Sequence, residues 1–477
     1  MVDLLIEHGE VITIDPDRRV IPDGAVAVDG GRIVAVGSTE ELSAYQGDAR
    51  RRIDARRKAV LPGLIDVHAH AGHGLVKTIG GGVGNQWATS AGAIYRHHAP
   101  PSFWAAEARL AALERLKCGV TTGLSMLGGG DGAIRTDRPD HALAHARAVR
   151  DIGLRSVLCL GASRTDFART FTDNVGDEGL RCVPYEVQLE ASRSAFETLA
   201  TERGDLDLMF CITASVMTPA MLDGGAIPRE MRRLADAAMA LVTEMDTLFT
   251  QDSHCRGSIA ISGKLGLLGP RAIMSHCIDL EAEEIALLAR TGTHVVTNPS
   301  ANFSIIGRCP VIEMLDAGVN VAIGSDGTAP DRSSDMFRHM QTAMHYHRRH
   351  FRDKNILPPG KALEMVTIDA ARALGQEAQL GSLEPGKRSD IILIDLAAPH
   401  LMPLHMALWR VVSFANGADV DTVIVDGKVL MEGRRTTLDE DAILDDAQAE
   451  ADRAIDAAGL RGMLNEPADL WRGTRFG

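Results

Sequence analysis

Positive charge is in deficit in this chain of 477 residues: 50 lysines and arginines stand against 64 aspartates and glutamates, a formal net charge of −14. Nucleic acid and anionic membrane surfaces both select for clustered cations, so neither is expected as a partner. The densest basic stretch, HYHRRHFRDK at 345–354, reads as a solvated helix end. Clustered cysteines are missing too. All seven lie singly with no C-x-x-C spacing, which points to reduced thiols and a cytoplasmic setting. No apolar run approaches the length of a membrane span, and MVDLLIEHGEVITID carries no basic n-region, so it does not read as a signal peptide. With 45% apolar and 24% charged residues the balance is that of a globular protein, and the length calls for one large domain plus a smaller one.

Two β-like ends flank a different middle. Residues 1–60 alternate as strands, with Gly30-Gly31 as a turn; residues 381–435 do the same, with Asp426-Gly427 as a hairpin turn. Both ends are expected to join in one small β-sandwich. The tail, 436–477, is rich in alanine and acid with helical spacing. Between them, residues 61–380 repeat a short apolar segment followed by a helix-like stretch. The segments are GLIDVHAH, GVTTGLSML, LRSVLCLGA, LDLMFCITA, MALVTEMDT, AIMSHCID, THVVTNPS and NVAIGSDG. Eight such units read as an α/β fold of the (β/α)8 TIM-barrel type, whose active site lies at the C-terminal strand ends. A doubly wound sheet is the rival, but the Gly-rich phosphate fingerprint is absent after the first strand.

Polar residues at those strand ends need a reason. The first segment ends His68-Ala69-His70, two imidazoles that alternate onto one face of a strand, with Asp66 in the same register. The sixth ends at His276 and the eighth at Asp326. Three imidazoles and a carboxylate at one barrel mouth make a competent site for a divalent transition metal. The Gly-rich stretch after His70, AGHGLVKTIGGGVGNQWATS, is suited to a lid, and Trp87 and Gln86 within it are candidates for lining a pocket.

The strings AVLPGLIDVHAH, KCGVTT, HVVTNPSAN, VNVAIGSDG, DAARALG and LGSLEPGKRSDIILID, in that order, together resemble the amidohydrolase superfamily, in its cytosine-deaminase and triazine-hydrolase branch. The resemblance covers most of residues 1–435. It implies His68 and His70 as metal ligands, Asp326 as a metal-proximal general base, and His276 as a ligand or a group polarising the substrate. One divalent transition ion is expected, Zn²⁺ first and Fe²⁺ second, because the strand-four end LDLMFCITA offers no lysine to bridge a second; a second metal is left open. Asn302 and Gly307 match the family's substrate-side loop.

Two departures matter. On strand seven the family's histidine before proline is missing: the segment reads Thr297-Asn298-Pro299. On strand five the family usually carries His-x-x-Glu, and LVTEMDT has no histidine. In one register Glu244 faces inward as a ligand, a bridge or a partner of a histidine, with Asp246 on the same face nearer the mouth. In the other, Thr243 replaces the histidine and Asp246 the glutamate, as a shorter proton shuttle. Glu244 inward is preferred, because otherwise its charge would lie in the apolar layer beneath the helices.

Without the shuttling glutamate, protonation of a ring nitrogen loses its usual source. The expected function is therefore metal-assisted hydrolysis of an exocyclic C–N bond in an amide, urea or carbamate, xenobiotic ones included. The alternatives are an aminohydrolase of an amino-substituted N-heterocycle and, third, a catalytically inactive binding protein. The expected partner is a small-molecule substrate, and homo-oligomerisation is expected by analogy with other barrels that carry an appended sandwich.

Overall fold

The computed structural model describes residues 1–79, 86–127, 137–162, 169–172, 180–202, 208–214, 216–329, 332–466 and 471. Strands from both chain ends form one continuous nine-stranded sheet rather than two separate ones. The strand Lys58–Pro62 is the joint. It runs parallel to Val2–Ile12 on one side and antiparallel to Ile391–Asp395 on the other. The hairpin turns fall where glycine and aspartate tolerate positive φ: Gly30 and Gly31 at 55° and 75°, Asp426 and Gly427 at 51° and 79°. Leu4, Ile6, Val26, Val28, Ile391, Leu393 and Ile424 bury together within this sheet.

One residue, Gly63, separates that joint from the barrel. Its eight strands are Leu64–Asp66, Val120–Met126, Arg155–Leu160, Met209–Thr213, Leu248–Asp252, Ala272–Ser275, His294–Thr297 and Val321–Ile323, paired in parallel in that order. The first and eighth strands meet through residues 365–366: Ile323 N donates to Met365 O and Ile65 N to Val366 O. At the mouth, Asp326 N donates to His68 O at 2.9 Å. Ile65, Val157, Cys211, Ile273, Val296 and Ala322 form a small apolar cluster with Ala370 and Ala371, distinct from the larger cluster that includes the surrounding helices.

Seven strands arise from the segments expected to form them, and the fifth does not. MALVTEMDT belongs to the end of a helix, Arg229–Glu244, and to the turn after it; the strand begins at Leu248. The helix wins because Met231, Leu234, Ala235, Ala238, Leu241 and Val242 repeat at three- and four-residue spacing and bury one stripe. The tail forms a helix, Glu440–Ala457, that packs on the helix Pro101–Lys117, with Lys117 Nζ 2.7 Å from Glu440 Oε2. Among the described residues, no helix is long and apolar enough to cross a membrane.

Candidate metal centre

Four of the expected residues meet at the C-terminal ends of the strands, and a fifth joins them. His68 and His70 follow the first strand, His276 the sixth and Asp326 the eighth, while Asp252 is the last residue of the fifth. Asp252 Oδ1 lies 3.7 Å from His68 Nε2 and 4.0 Å from His276 Nε2. Asp326 Oδ1 lies 3.2 Å from His70 Nε2 and 3.9 Å from His68 Nε2. Two overlapping triads result, His68–Asp252–His276 and His68–His70–Asp326, each with its donor atoms within 4.8 Å of one another.

Backbone strain accompanies this convergence. His276 and Asp326 sit at φ 66° and 63°, a left-handed conformation that side-chain-bearing residues adopt only where the surroundings hold them there. Close approach of strands eight and one also requires Gly324, where a Cβ would fall 2.6 Å from Asn298 Oδ1 and 2.8 Å from His68 Cβ.

The strand periodicity that would put Asp66 beside the histidines ends with the strand itself. Asp66 lies beneath the site. Its Oδ1 accepts from Ser325 N at 3.0 Å, its Oδ2 from Ser325 Oγ at 2.6 Å, and Arg115 Nη2 stands 3.5 Å away. It ties the first strand end to the eighth.

The other strand-five expectations are corrected. Glu244 ends the helix on the surface, about half exposed and paired with Arg193. Asp246 is 93% exposed, 2.5 Å from Arg271. Thr243 is exposed and donates to Met239 O. The strand lies at Leu248–Asp252, just past the expected segment 239–247, and none of these three reaches the mouth. The residues overlooked are Asp252 and His254. The readable signal was LFTQDSH, a short aromatic and β-branched run that ends in a carboxylate and an imidazole. His254 Nε2 is 3.7 Å from Asp252 Oδ2, and its ring is 4.5 Å from that of His276.

Asn302 is buried and accepts from the His276 ring, Oδ1 to Nδ1 at 2.8 Å, while its Nδ2 donates to His276 O and Thr297 Oγ1. Asn298, in the place of the family's strand-seven histidine, donates from Nδ2 to Ser275 Oγ at 2.8 Å. Trp87 packs edge-on to His73, 4.9 Å between rings, and His73 stacks on His70 at 5.2 Å; the Trp87 indole N–H donates to Val76 O. The side chain of Gln86 and residues 80–85 of the expected lid lie outside the described residues.

The donor set fits a divalent transition ion. Both ring nitrogens of His68 and Oδ1 of Asp252 are buried without a hydrogen-bond partner, a condition native interiors rarely leave uncompensated. Burial pushes the His68 imidazole down to about 3, and its imidazole neighbours add to this against the pull of Asp252, so it presents lone pairs as a ligand must. Burial alone would raise Asp252, but His68, His254 and His276 hold it down to about 2. Burial likewise opposes the ionisation of Asp326, yet the His70 hydrogen bond and the surrounding imidazoles hold it well below the usual carboxylate range. His70 feels the reciprocal effect: burial lowers it, but Asp326 outweighs burial and raises it. A proton on His70 Nε2 and a metal ion therefore compete for the same lone pair.

Imidazoles and carboxylates at the strand ends of a parallel eight-stranded barrel define a metal-dependent hydrolase. The chain belongs to the amidohydrolase family: residues 59–430 match the family model, and residues 24–44 match a bacterial imidazolonepropionase-like composite domain. It is 30% identical over 458 residues to a 5'-deoxyadenosine deaminase of Methanosarcina mazei, covering 95% of this chain and 99% of the relative. It is 33% identical over 461 residues to a 5-methylthioadenosine/S-adenosylhomocysteine deaminase of Moorella thermoacetica, covering 93% and 97%. Among solved structures, a zinc-bound adenosine deaminase of Xanthomonas campestris superposes with a TM-score of 0.80 at 25% identity, covering 95% of this chain and 98% of that one. The fold is shared with a zinc-complexed atrazine chlorohydrolase of Arthrobacter aurescens, TM-score 0.76 at 22% identity, covering 94% and 100%. The chain is thus an amidohydrolase-family hydrolase acting on C–N bonds, and its mouth residues fit a divalent metal, zinc being the ion bound in the Xanthomonas neighbour.

Proposed function

We propose that this hydrolase releases ammonia from an amino-substituted N-heterocycle of the aminopurine kind. The observation that carries the reading is His254, an imidazole donor at the mouth. It stands beside Asp252 and His276, two residues past the end of the fifth strand and one before the position where the family pattern puts its proton-shuttling glutamate. The near-full-length relatives named as deaminases of adenosine derivatives support the same class.

His68, His70, His276, Asp252 and Asp326 would hold the ion, which when bound would supply the Lewis acidity that lets a water lose its proton near neutral pH. Asp326 accepts that proton on a carboxylate oxygen and returns it to the departing amino nitrogen. Its Oδ1 takes a backbone hydrogen bond from Gly327 N at 2.7 Å, and its Oδ2 lies 4.0 Å from Arg332 Nη1, so the base is held on both sides. A proton on His254 Nε2 passes to the ring nitrogen as the adjacent carbon becomes tetrahedral, and the hydroxyl proton left on that carbon returns to His254 as the carbonyl forms and ammonia leaves. Asn302 keeps the His276 ring oriented through Nδ1.

A second reading is favoured by Cys255. It occupies the position three residues after Asp252, where the family pattern puts glutamate, and burial pushes its thiol up, which keeps the proton on sulfur. With no acid there, Asp326 alone would serve the leaving nitrogen of an amide, urea or carbamate. One panel on metal-loaded enzyme separates the two: aminopurines, aminopyrimidines and aminotriazines against N-aryl ureas, carbamates and amides. Ammonia from a ring substrate is expected. Turnover of ureas, carbamates or amides alone would overturn the deaminase reading in favour of the second.

A further inference from the structure

We propose that Asp252 sets which divalent ion the centre keeps, narrowing the advantage of zinc over harder ions such as Mn²⁺ and Fe²⁺. The inference rests on reading the barrel mouth as a metal centre, and is independent of which C–N substrate is cleaved. The donors here are three imidazoles, His68, His70 and His276, and two carboxylates, Asp252 and Asp326. Where the family pattern supplies a neutral nitrogen on strand five, this chain supplies an anionic oxygen.

Two physical consequences follow from that exchange. Nitrogen and sulfur donors reward zinc over manganese strongly, whereas carboxylate oxygens reward it least, because the manganese bond to oxygen is mainly ionic. Two carboxylates also balance the charge of a divalent ion within a buried site, which favours ions that bind through charge rather than covalency. The second oxygen of Asp252 faces His254 rather than a cation, 3.7 Å from Nε2, so the carboxylate can turn to offer both oxygens and raise the coordination number. Higher coordination suits Mn²⁺ and Fe²⁺ better than the tetrahedral preference of zinc.

The placement of Asp252 supports a ligand role over a structural one. Its Oδ1 is buried with no hydrogen-bond partner, and the groups facing it are the imidazoles of His68, His254 and His276. A carboxylate kept only to brace the fold would be expected to accept hydrogen bonds, as Asp66 does from Ser325.

The test is a metal competition on the full-length chain, stripped with a chelator and dialysed against Zn²⁺ and Mn²⁺ together, with bound metal read by mass spectrometry. Asp252→His is compared with wild type and with Glu244→Gln, which removes an exposed surface carboxylate. Asp252→His is expected to raise the bound zinc-to-manganese ratio by at least about tenfold, mainly by weakening manganese, with Glu244→Gln unchanged. A ratio within twofold of wild type in Asp252→His, or an equal rise in Glu244→Gln, would overturn the inference. If Asp252→His does not melt cooperatively, Co²⁺ bound to the wild-type chain decides instead. The weak visible absorption of five- or six-coordinate cobalt supports the proposal, and the intense bands of tetrahedral cobalt refute it. Neither readout uses substrate, so a failed product panel leaves this result standing, and the reverse also holds.

Discussion

Replacing Asn302 by alanine tests how the centre is held together. Asn302 Oδ1 accepts from His276 Nδ1 at 2.8 Å, which places the ring proton on Nδ1 and leaves the Nε2 lone pair directed toward Asp252. Asn302→Ala removes the acceptor in a buried setting, so His276 is free to adopt the wrong tautomer or rotate. Loss of an outer partner of a ligating histidine costs about 10- to 100-fold in metal affinity, or about 1.4 to 2.7 kcal/mol. A further cost of about 1 to 3 kcal/mol in folding stability comes from the unsatisfied ring N–H. Affinity would be measured by competition with a chromophoric chelator and stability by melting in the presence and absence of metal. Asn302→Asp, which keeps an acceptor and adds charge, should hold the metal at least as well as wild type. The family resemblance puts Asn302 on the substrate side instead. Metal affinity within twofold of wild type in Asn302→Ala, with a raised KM, would refute the positioning argument and restore that role.

Three further outcomes follow from the packing. Gly327→Ala should lower kcat by more than about tenfold and destabilise by about 1 to 3 kcal/mol, because a Cβ there would lie 1.8 Å from His73 Nδ1; adding His73→Ala should recover much of the stability, and failure to do so would place the strain elsewhere. A divalent ion at one hundred times its Kd should stabilise the fold by about 2.7 kcal/mol over the chelator-treated chain, read by calorimetry; identical melting with and without the ion would contradict binding to the folded site. The third concerns acid. His145 is buried with neither ring nitrogen partnered, and burial, with Arg115 secondary, pushes it down from 6.5 to about 3. The unfolded chain binds this proton first, so the contribution of neutral His145 is complete above about pH 6.5 and is lost as pH falls toward 3, with about 2 kcal/mol gone at pH 5. Urea unfolding against pH should therefore be flatter by up to one proton in His145→Leu; an unchanged slope would refute the assignment.

Much of the barrel is legible because its apolar segments are short and end in polar residues that have no place in a core. VHAH, SHC and GSDG each break an apolar run with a group that is costly to bury, and the fold brings His68, His70, His276 and Asp326 to one mouth. The hairpins at the two chain ends are legible from Gly30-Gly31 and Asp426-Gly427, but the pairing of Lys58–Pro62 with Ile391–Asp395 into one continuous sheet, where a sandwich is expected, is not. Partners such as Asp66 with Ser325, or Asn302 with His276, are joined across 259 and 26 residues, and no local pattern connects them.

Strand five shows where local reading stops. Over residues 239–245 an amphipathic helix end and a half-buried strand present similar letters, and periodicity separates them only when read from Met231 onward. Once the helix is granted its full length, the strand moves to LFTQD, and the acid at the mouth becomes Asp252 rather than Glu244. That shift changes the chemistry more than the topology. Glu244 as an inward ligand left the centre without a donor beyond the metal, which is what turned the expectation toward amides and ureas. Asp252 brings His254 with it, two residues on, and so returns an imidazole to the mouth beside His276, which the proposed deamination uses as its donor to a ring nitrogen. The choice between the two substrate classes thus turns on whether that imidazole reaches the substrate. His254→Ala should abolish ammonia release from a ring substrate while leaving metal content unchanged, and retention of more than about a tenth of the ring activity would show that the proton comes from elsewhere.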